Sequence, residues 1–410
     1  MKFTCCGVSP TNRQPLTLDN KLWGSDWPDV RREFSLDSSV AHLNHGSFGA
    51  VPIPVQKFQD ELRRRVESNP MKSLSRDLRK QLDEARLASA KFLGANPEGF
   101  AFVHNATTGA NSILTSSILH AGDEVLVTDQ TYEAVKHAAE RACQSNKARL
   151  VVAKVPMPTR ESEELVESIM AGLTKKTRLA IIDHIASPTG LVYPVKTLIE
   201  ELHRRDVLVL VDAAHAPGMV DLNLDSLQPN FWTGNFHKWC CSPRGSAGLW
   251  VRKDHRKLIK PIITSWYYNE KYPDSFRWLG TDDYTSYLSV PEALRFMEGL
   301  GWDRIRTHNR KLARYARDVV GSVPGIVPIK PEKDEELFEA MTLVELPEGV
   351  ADTEEKARAL QARFGEELRI EAVPIAWNGH GYLRLSAQVY NAPGEYDRLA
   401  EGLPRILNRQ

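Results

Sequence analysis

Val207-Leu-Val-Leu-Val-Asp212-Ala-Ala-His215 reads as a strand buried on both faces that ends on a carboxylate. Five consecutive aliphatic residues leave no polar face, and such a run fits the middle of a parallel sheet covered by helices on both sides. Short runs of the same kind lie upstream at residues 100–103, 124–127, 150–155 and 179–183, and 246–251 adds another downstream. Amphipathic segments at 132–143, 161–173 and 195–205 separate them. Strands alternating with helices predict an α/β fold built on a mostly parallel sheet. In such sheets, ligands sit beyond the carboxyl ends of the strands. The polar segments at those places are Asn105-Ala-Thr-Thr-Gly109, Thr131-Tyr132, His184 to Gly190, Asp212 to His215 and Asn235-Phe-His-Lys238.

The flanking sequence sets the domain plan. Spacing over 52–92 is helical, with an interruption at Asn69-Pro70. A long helical pattern runs from 291 to about 320, strands are expected at 341–345 and 383–386 around a helix over 353–364, and a last helix follows Pro393. A chain of 410 residues is too long for one ordinary core. The expected division is an N-terminal arm with a substrate-mouth segment at 1–51, a large domain at 52–290 and a smaller α+β domain at 291–410.

Hydrophobic residues make up 42% of the chain and charged residues 26%, as in a soluble globular protein. Lys+Arg and Asp+Glu both number 53, so the formal net charge is zero. That argues against nucleic acid or an anionic membrane as the main partner. No stretch approaches an apolar membrane span. The opening MKFTCCGVSPTNRQP is polar and lacks a signal-peptide core, so the chain is expected to be cytoplasmic. The five cysteines, Cys5, Cys6, Cys143, Cys240 and Cys241, are odd in number and neither pair has zinc-knuckle spacing. They read as reduced thiols, and no metal is expected.

Asp212 and Lys238 carry the chemistry. A carboxylate ending an apolar strand is costly unless it faces a cation, and a protonated pyridine nitrogen is one. Alternatively, Asp212 caps the next helix or pairs with an arginine. Lys238 sits in Thr233-Gly-Asn-Phe-His-Lys-Trp239, between aromatic neighbours and ahead of two cysteines. An apolar setting lowers an amine's pKa and makes it a competent Schiff-base nucleophile. The turn at Asn105 to Gly109 follows a strand and opens a helix, so its N–H groups and the Thr107 and Thr108 hydroxyls could meet a phosphate. By itself that turn reads first as an ordinary helix cap. The dinucleotide fingerprint G-x-G-x-x-G is absent.

Taken in order, these segments resemble the class V aminotransferases of pyridoxal-phosphate fold type I, in particular the isopenicillin N epimerase-like branch. Further matching stretches are Leu43-Asn-His-Gly-Ser-Phe-Gly49, Ser187-Pro-Thr-Gly190, Pro243-Arg-Gly245, Gly280-Thr281 and Tyr382-Leu-Arg-Leu-Ser-Ala-Gln-Val-Tyr-Asn391. The resemblance implies a large domain with a mostly parallel sheet, a smaller C-terminal domain and pyridoxal 5'-phosphate as cofactor. Lys238 would carry the cofactor as a Schiff base, Asp212 would hold the pyridine nitrogen and Tyr132 would stack on the ring. His215, with Ser187, would reach the phenolic oxygen. Thr107, Thr108, Asn235 and His237 would hold the phosphate. Thr281 would complete the phosphate site of a neighbouring subunit, which implies a homodimer with shared sites. Arg384 would clamp the substrate α-carboxylate. Asn44 and His45 would line the substrate mouth, or else belong to a turn that positions the arm.

Two departures from the family pattern bear on substrate and reaction. Leu279 and Asp282 stand where members often have Thr and Arg around the Gly-Thr pair. No cysteine follows Cys241, which argues against the usual persulfide chemistry of cysteine desulfurases; Cys240 and Cys241 read as packing residues. Removal of an α-proton by Lys238 then allows three outcomes on an amino-acid-derived substrate. β-Elimination would make a C–S lyase acting on a cysteine S-conjugate or another bulky amino acid. Return of the proton to the other face would make an epimerase, and return to the cofactor would make an aminotransferase. Elimination needs one base only, and is the expected outcome. A non-catalytic sensor that binds pyridoxal phosphate is a further alternative. The aromatic run Trp266-Tyr-Tyr268, with Tyr272, reads as a roomy mouth or as a dimer contact.

Overall fold

The computed structural model describes residues 28–159, 161–331 and 337–407. Residues 1–27 of the expected arm, Cys5 and Cys6 among them, lie outside the described residues. The strands are β1 Ala41–His42, β2 Phe100–Val103, β3 Glu124–Thr128, β4 Arg149–Ala153, β5 Thr177–Asp183, β6 Leu208–Asp212, β7 Phe231–Asn235, β8 Ala247–Val251, β9 Val327–Pro328, β10 Met341–Glu345, β11 Ile370–Glu371, β12 Val373–Trp377 and β13 His380–Ser386.

Seven of them form one sheet in the order β2-β8-β7-β6-β5-β3-β4. The ladder from β7 to β4 is parallel throughout, and β8 runs antiparallel to both β2 and β7. Alternate residues feed two separate cores. Ala180, Ile182, Val209, Val211 and Trp232 pack on one face, and Leu179, Ile181, Leu208, Leu210 and Phe231 on the other. A strand with no wet face needs no polar alternation, which is why 207–211 is aliphatic at every position. The α/β fold with a mostly parallel, helix-covered sheet is thus the architecture observed.

A second sheet, β12-β13-β10-β9, is antiparallel and belongs to the C-terminal part of the chain. β1 pairs in parallel with β11, so Ala41 and Leu43 join the C-terminal core beside Leu383 and Leu385. The stretch that opens the site is therefore anchored on the C-terminal layer.

Three local expectations need correction. The helical pattern from 291 is two helices, Val290–Leu300 and Trp302–Val320, divided at Gly301. β7 was absent from the expected strands, because Phe231-Trp-Thr-Gly-Asn235 has no aliphatic run. Its ladder to β6 and β8 makes it a strand all the same. Tyr272 belongs to the core: its hydroxyl donates to the Leu249 carbonyl at 2.6 Å, with the Gly99 carbonyl 3.0 Å away. No helix among the described residues is long and apolar enough to cross a membrane.

Candidate active site

β5 and β6 end level with each other, on Asp183 and Asp212, and β7 runs on past Thr233, the partner of Asp212, to Asn235. Beyond those ends lies a cavity of about 350 Å³. The turns after β2, β3 and β7 reach it, and so does the Ser47-Phe48-Gly49 stretch. Chain segments far apart in sequence meet here because parallel strands deliver all their carboxyl ends to one edge.

The helix Ala106–Leu114 starts at the cavity. Asn105 caps it, accepting the Thr108 N–H at 2.8 Å, and Asn235 Oδ1 accepts the Ala106 N–H at 2.8 Å. The first turn presses against β7 at Gly109, where a Cβ would lie 2.2 Å from Thr233 Oγ1. A larger residue would push the helix off the strand and its N-terminus away from the cavity. Thr107 lines the cavity. The Thr108 hydroxyl does not; it donates to Asn105 Oδ1 at 3.1 Å, so its expected phosphate contact is replaced by a capping one.

Asp212 is buried, with Oδ1 accepting the Ala214 N–H at 3.0 Å. Burial pushes its carboxyl up, and the Ala214 N–H and the Lys238 amine pull it back. Lys238 Nζ stands 3.0 Å from His215 Nε2. Burial, then Arg384, bring the Lys238 amine down to about 7, against the pull of Asp212. An amine with that value is about half unprotonated at neutral pH, and so available as a base. His237 donates from Nδ1 to the Ser246 carbonyl at 2.9 Å, since a carbonyl can only accept. Tyr132 is half-exposed on the cavity wall, and Ser187 also lines it.

Four expected site residues stand elsewhere. His45 does not line the mouth: it is fully buried behind Lys238, with Nε2 on the Lys238 carbonyl at 3.0 Å and Nδ1 on the Tyr390 hydroxyl at 2.7 Å. Asn44 is buried too and accepts from Arg384 at 3.3 Å. Arg384 is held behind the wall by the Ser187 carbonyl and by Ser47 Oγ at 2.9 Å, while its Nε has no partner. Thr281 lies in a different groove of about 1300 Å³, with residues 57–78 on its other side. Trp266 and Tyr267 are exposed but do not line this cavity. Cys240 and Cys241 are wholly buried, and burial pushes both thiols up.

Other cavity residues escaped the sequence reading. Asp183 pairs in register with Asp212, and its Oδ2 has no partner. Burial and the adjacent Asp212 push its carboxyl well above the usual range. The signal was present, since Asp183 also ends an apolar strand on a carboxylate. His104 sits on the rim, 2.9 Å from Asp282, which places Asp282 beside this site. Phe48 and Arg244 also line the cavity; both lie in stretches that carry the family resemblance, but their spacing assigns them no role.

Residues 51–399 match the aminotransferase class-V family. The chain belongs to that family. Enzymes of class V depend on pyridoxal phosphate. Among curated relatives, an isopenicillin N epimerase of Amycolatopsis lactamdurans is 36% identical, with 93% of this chain and 98% of that protein covered. A probable chloroplastic L-cysteine desulfhydrase of Arabidopsis thaliana is 29% identical, covering 92% of this chain and 86% of that one. A C-DES mutant solved with glycine covalently linked to its PLP cofactor shares the fold, with a TM-score of 0.78 and 20% identity over 91% of this chain and 98% of that one. The residues of this class-V site fit such a cofactor. The cavity offers an amine made available by burial, a buried carboxyl with an unpartnered oxygen and a helix N-terminus at one end. Its volume is that of an ordinary small-molecule site.

Proposed function

We propose that this chain removes the α-proton of an amino-acid substrate and eliminates the β-sulfur of a cysteine S-conjugate, acting as a C–S lyase. Bound pyridoxal phosphate supplies an electron sink for the charge left at the α-carbon. Lys238 would hold the cofactor, and its amine would take the α-proton. Asp212 would hold the pyridine nitrogen in its protonated form. His215 and Ser187 would serve the phenolic oxygen, and Tyr132 would cover one ring face. Thr107, Asn235 and His237 hold the phosphate. His237 spends its Nδ1–H on Ser246, and burial and Lys238 bring the ring down to about 4, so the neutral ring presents an Nε2 lone pair and meets the phosphate through a proton carried by a phosphate oxygen. Arg384, held behind the wall by Ser47 and Ser187, keeps a buried and unspent Nε–H for the substrate carboxylate.

The observation that carries this reading is that Lys238 is the only amine lining the cavity among the described residues. Elimination needs one base. Epimerisation needs a proton donor on the opposite face, where Tyr132 is the candidate. The epimerase reading keeps its own support in the 36% identity to an isopenicillin N epimerase. Product analysis separates them. With a cysteine thioether in deuterated water, the expected products are free thiol, pyruvate and ammonia. Inverted, α-deuterated amino acid with no thiol from any thioether would defeat the lyase reading, and Tyr132→Phe should then abolish the exchange.

We further propose a homodimer with shared sites, motivated by the position of Thr281 outside its own chain's cavity. Lys238→Ala and Thr281→Ala proteins, each inactive, should recover roughly a quarter of full activity when mixed, because random pairing gives half mixed dimers with one intact site each. A monomer with full activity at assay concentration would contradict this.

A further inference from the structure

Trp239 follows Lys238 in the chain and is almost wholly buried. Its indole N–H donates to His215 Nδ1 at 3.3 Å. An indole nitrogen can only donate. His215 Nδ1 must therefore present its lone pair, and a neutral His215 must carry its proton on Nε2. The neutral form is the one favoured here. Burial disfavours the imidazolium, and the charged or titratable groups facing the ring, Lys238, Arg384, His45 and His237, all act in the same sense.

The consequence falls on Lys238, whose Nζ is 3.0 Å from His215 Nε2. With the proton on Nε2, the contact is good only if the Lys238 nitrogen offers a lone pair. With the proton on Nδ1, the Nε2 lone pair would instead welcome an ammonium. The tautomer thus decides which protonation state of Lys238 the contact favours.

The surroundings hold both partners in place. Gly218, at φ +88°, lets the turn that carries His215 close on Trp239, where a Cβ would meet the Trp239 carbonyl oxygen at 2.7 Å. On the other side the indole packs on His45, with ring centroids 4.8 Å apart. His45 is itself tied to the Lys238 carbonyl and to Tyr390.

We propose that Trp239 is a positioning residue whose N–H holds His215 in the Nε2–H tautomer, so that the imidazole gives a hydrogen bond to the Lys238 side of the cavity and does not take one from it. This rests on Lys238 as the cofactor anchor proposed above, but not on which reaction the site runs.

Two replacements test it. Benzothienylalanine placed at position 239 keeps the size and shape of the ring and lacks the N–H, whereas Trp239→Phe also shrinks the ring. Two-bond nitrogen–proton NMR of labelled histidine reads the His215 tautomer, and needs no cofactor. A pH titration of the visible band of the holoenzyme reads the Lys238 nitrogen. The unaltered protein should show His215 as Nε2–H. Both replacements should mix the tautomers and raise the midpoint of the visible band by about half to one pH unit, the size of one hydrogen bond. His215 found as Nδ1–H in the unaltered protein would overturn the proposal. So would an effect of Trp239→Phe that benzothienylalanine does not reproduce, because packing would then be its cause. Failure of borohydride to attach a pyridoxyl group to Lys238 would instead remove the cofactor reading and leave the tautomer measurement to stand alone.

Discussion

Replacing Lys238 by Ala is expected to lower turnover by about 10⁴-fold, the upper end for loss of a general acid–base residue, and to leave no pyridoxyl group on the chain after borohydride reduction. Both losses follow from one nitrogen having two tasks. It anchors the cofactor, and it is the only amine lining the cavity among the described residues. The environment suits both tasks. Burial and Arg384 hold the amine near neutrality, and His215 touches it at 3.0 Å. Peptide mapping of the reduced, unaltered protein should find the label at Lys238 alone. A label on another lysine, or turnover within tenfold of normal in the variant, would remove Lys238 from its role.

Asp212→Asn should cost on the order of a hundredfold or more in turnover, because the charge it removes is preorganised and buried. Asp183 complicates the comparison in a useful way. Two buried carboxyls side by side cannot both ionise readily, and Asp183 has the higher tendency to stay protonated. Asp183 therefore stands as the neutral member of the pair and Asp212 as the charged one. Removal of Asp212 lets Asp183 ionise in its place, so Asp212→Asn with Asp183→Asn should be worse than Asp212→Asn alone. Near-normal turnover with tightly bound cofactor in the single variant would defeat the assignment. A double variant no worse than the single one would show that Asp183 carries no share.

Much of this site is legible in the sequence, for identifiable reasons. Asp212 stood out because a carboxylate at the end of five aliphatic residues contradicts its surroundings. Lys238 stood out because aromatic neighbours deny it water. Asp183 has the same signature as Asp212, a carboxylate that ends an apolar strand. β7 could not be found by pattern, since its strand character comes from pairing with β6 and β8 and not from its own composition. Thr108 and His45 were misplaced because sequence names a residue's neighbours along the chain but not the direction of its side chain. Thr108 turns to Asn105, and His45 turns into the interior behind Lys238.

The sequence by itself determined the alternation of strands and helices, the parallel sheet, the edge at which a ligand must sit and the two residues most able to do chemistry there. Those follow from periodicity and from the cost of burying charge, which are properties of short segments. Tertiary structure alone decided which side chains share the cavity. It brought Asp183 against Asp212 through strand register, set Arg384 behind Ser47 and Ser187 from the far end of the chain, and placed the Trp239 N–H on His215. Each of these contacts joins residues on different elements. Their energies depend on distances of a few ångströms that no local pattern encodes, and two of the residues so placed, Arg384 and Asp212, act in opposite directions on the Lys238 amine.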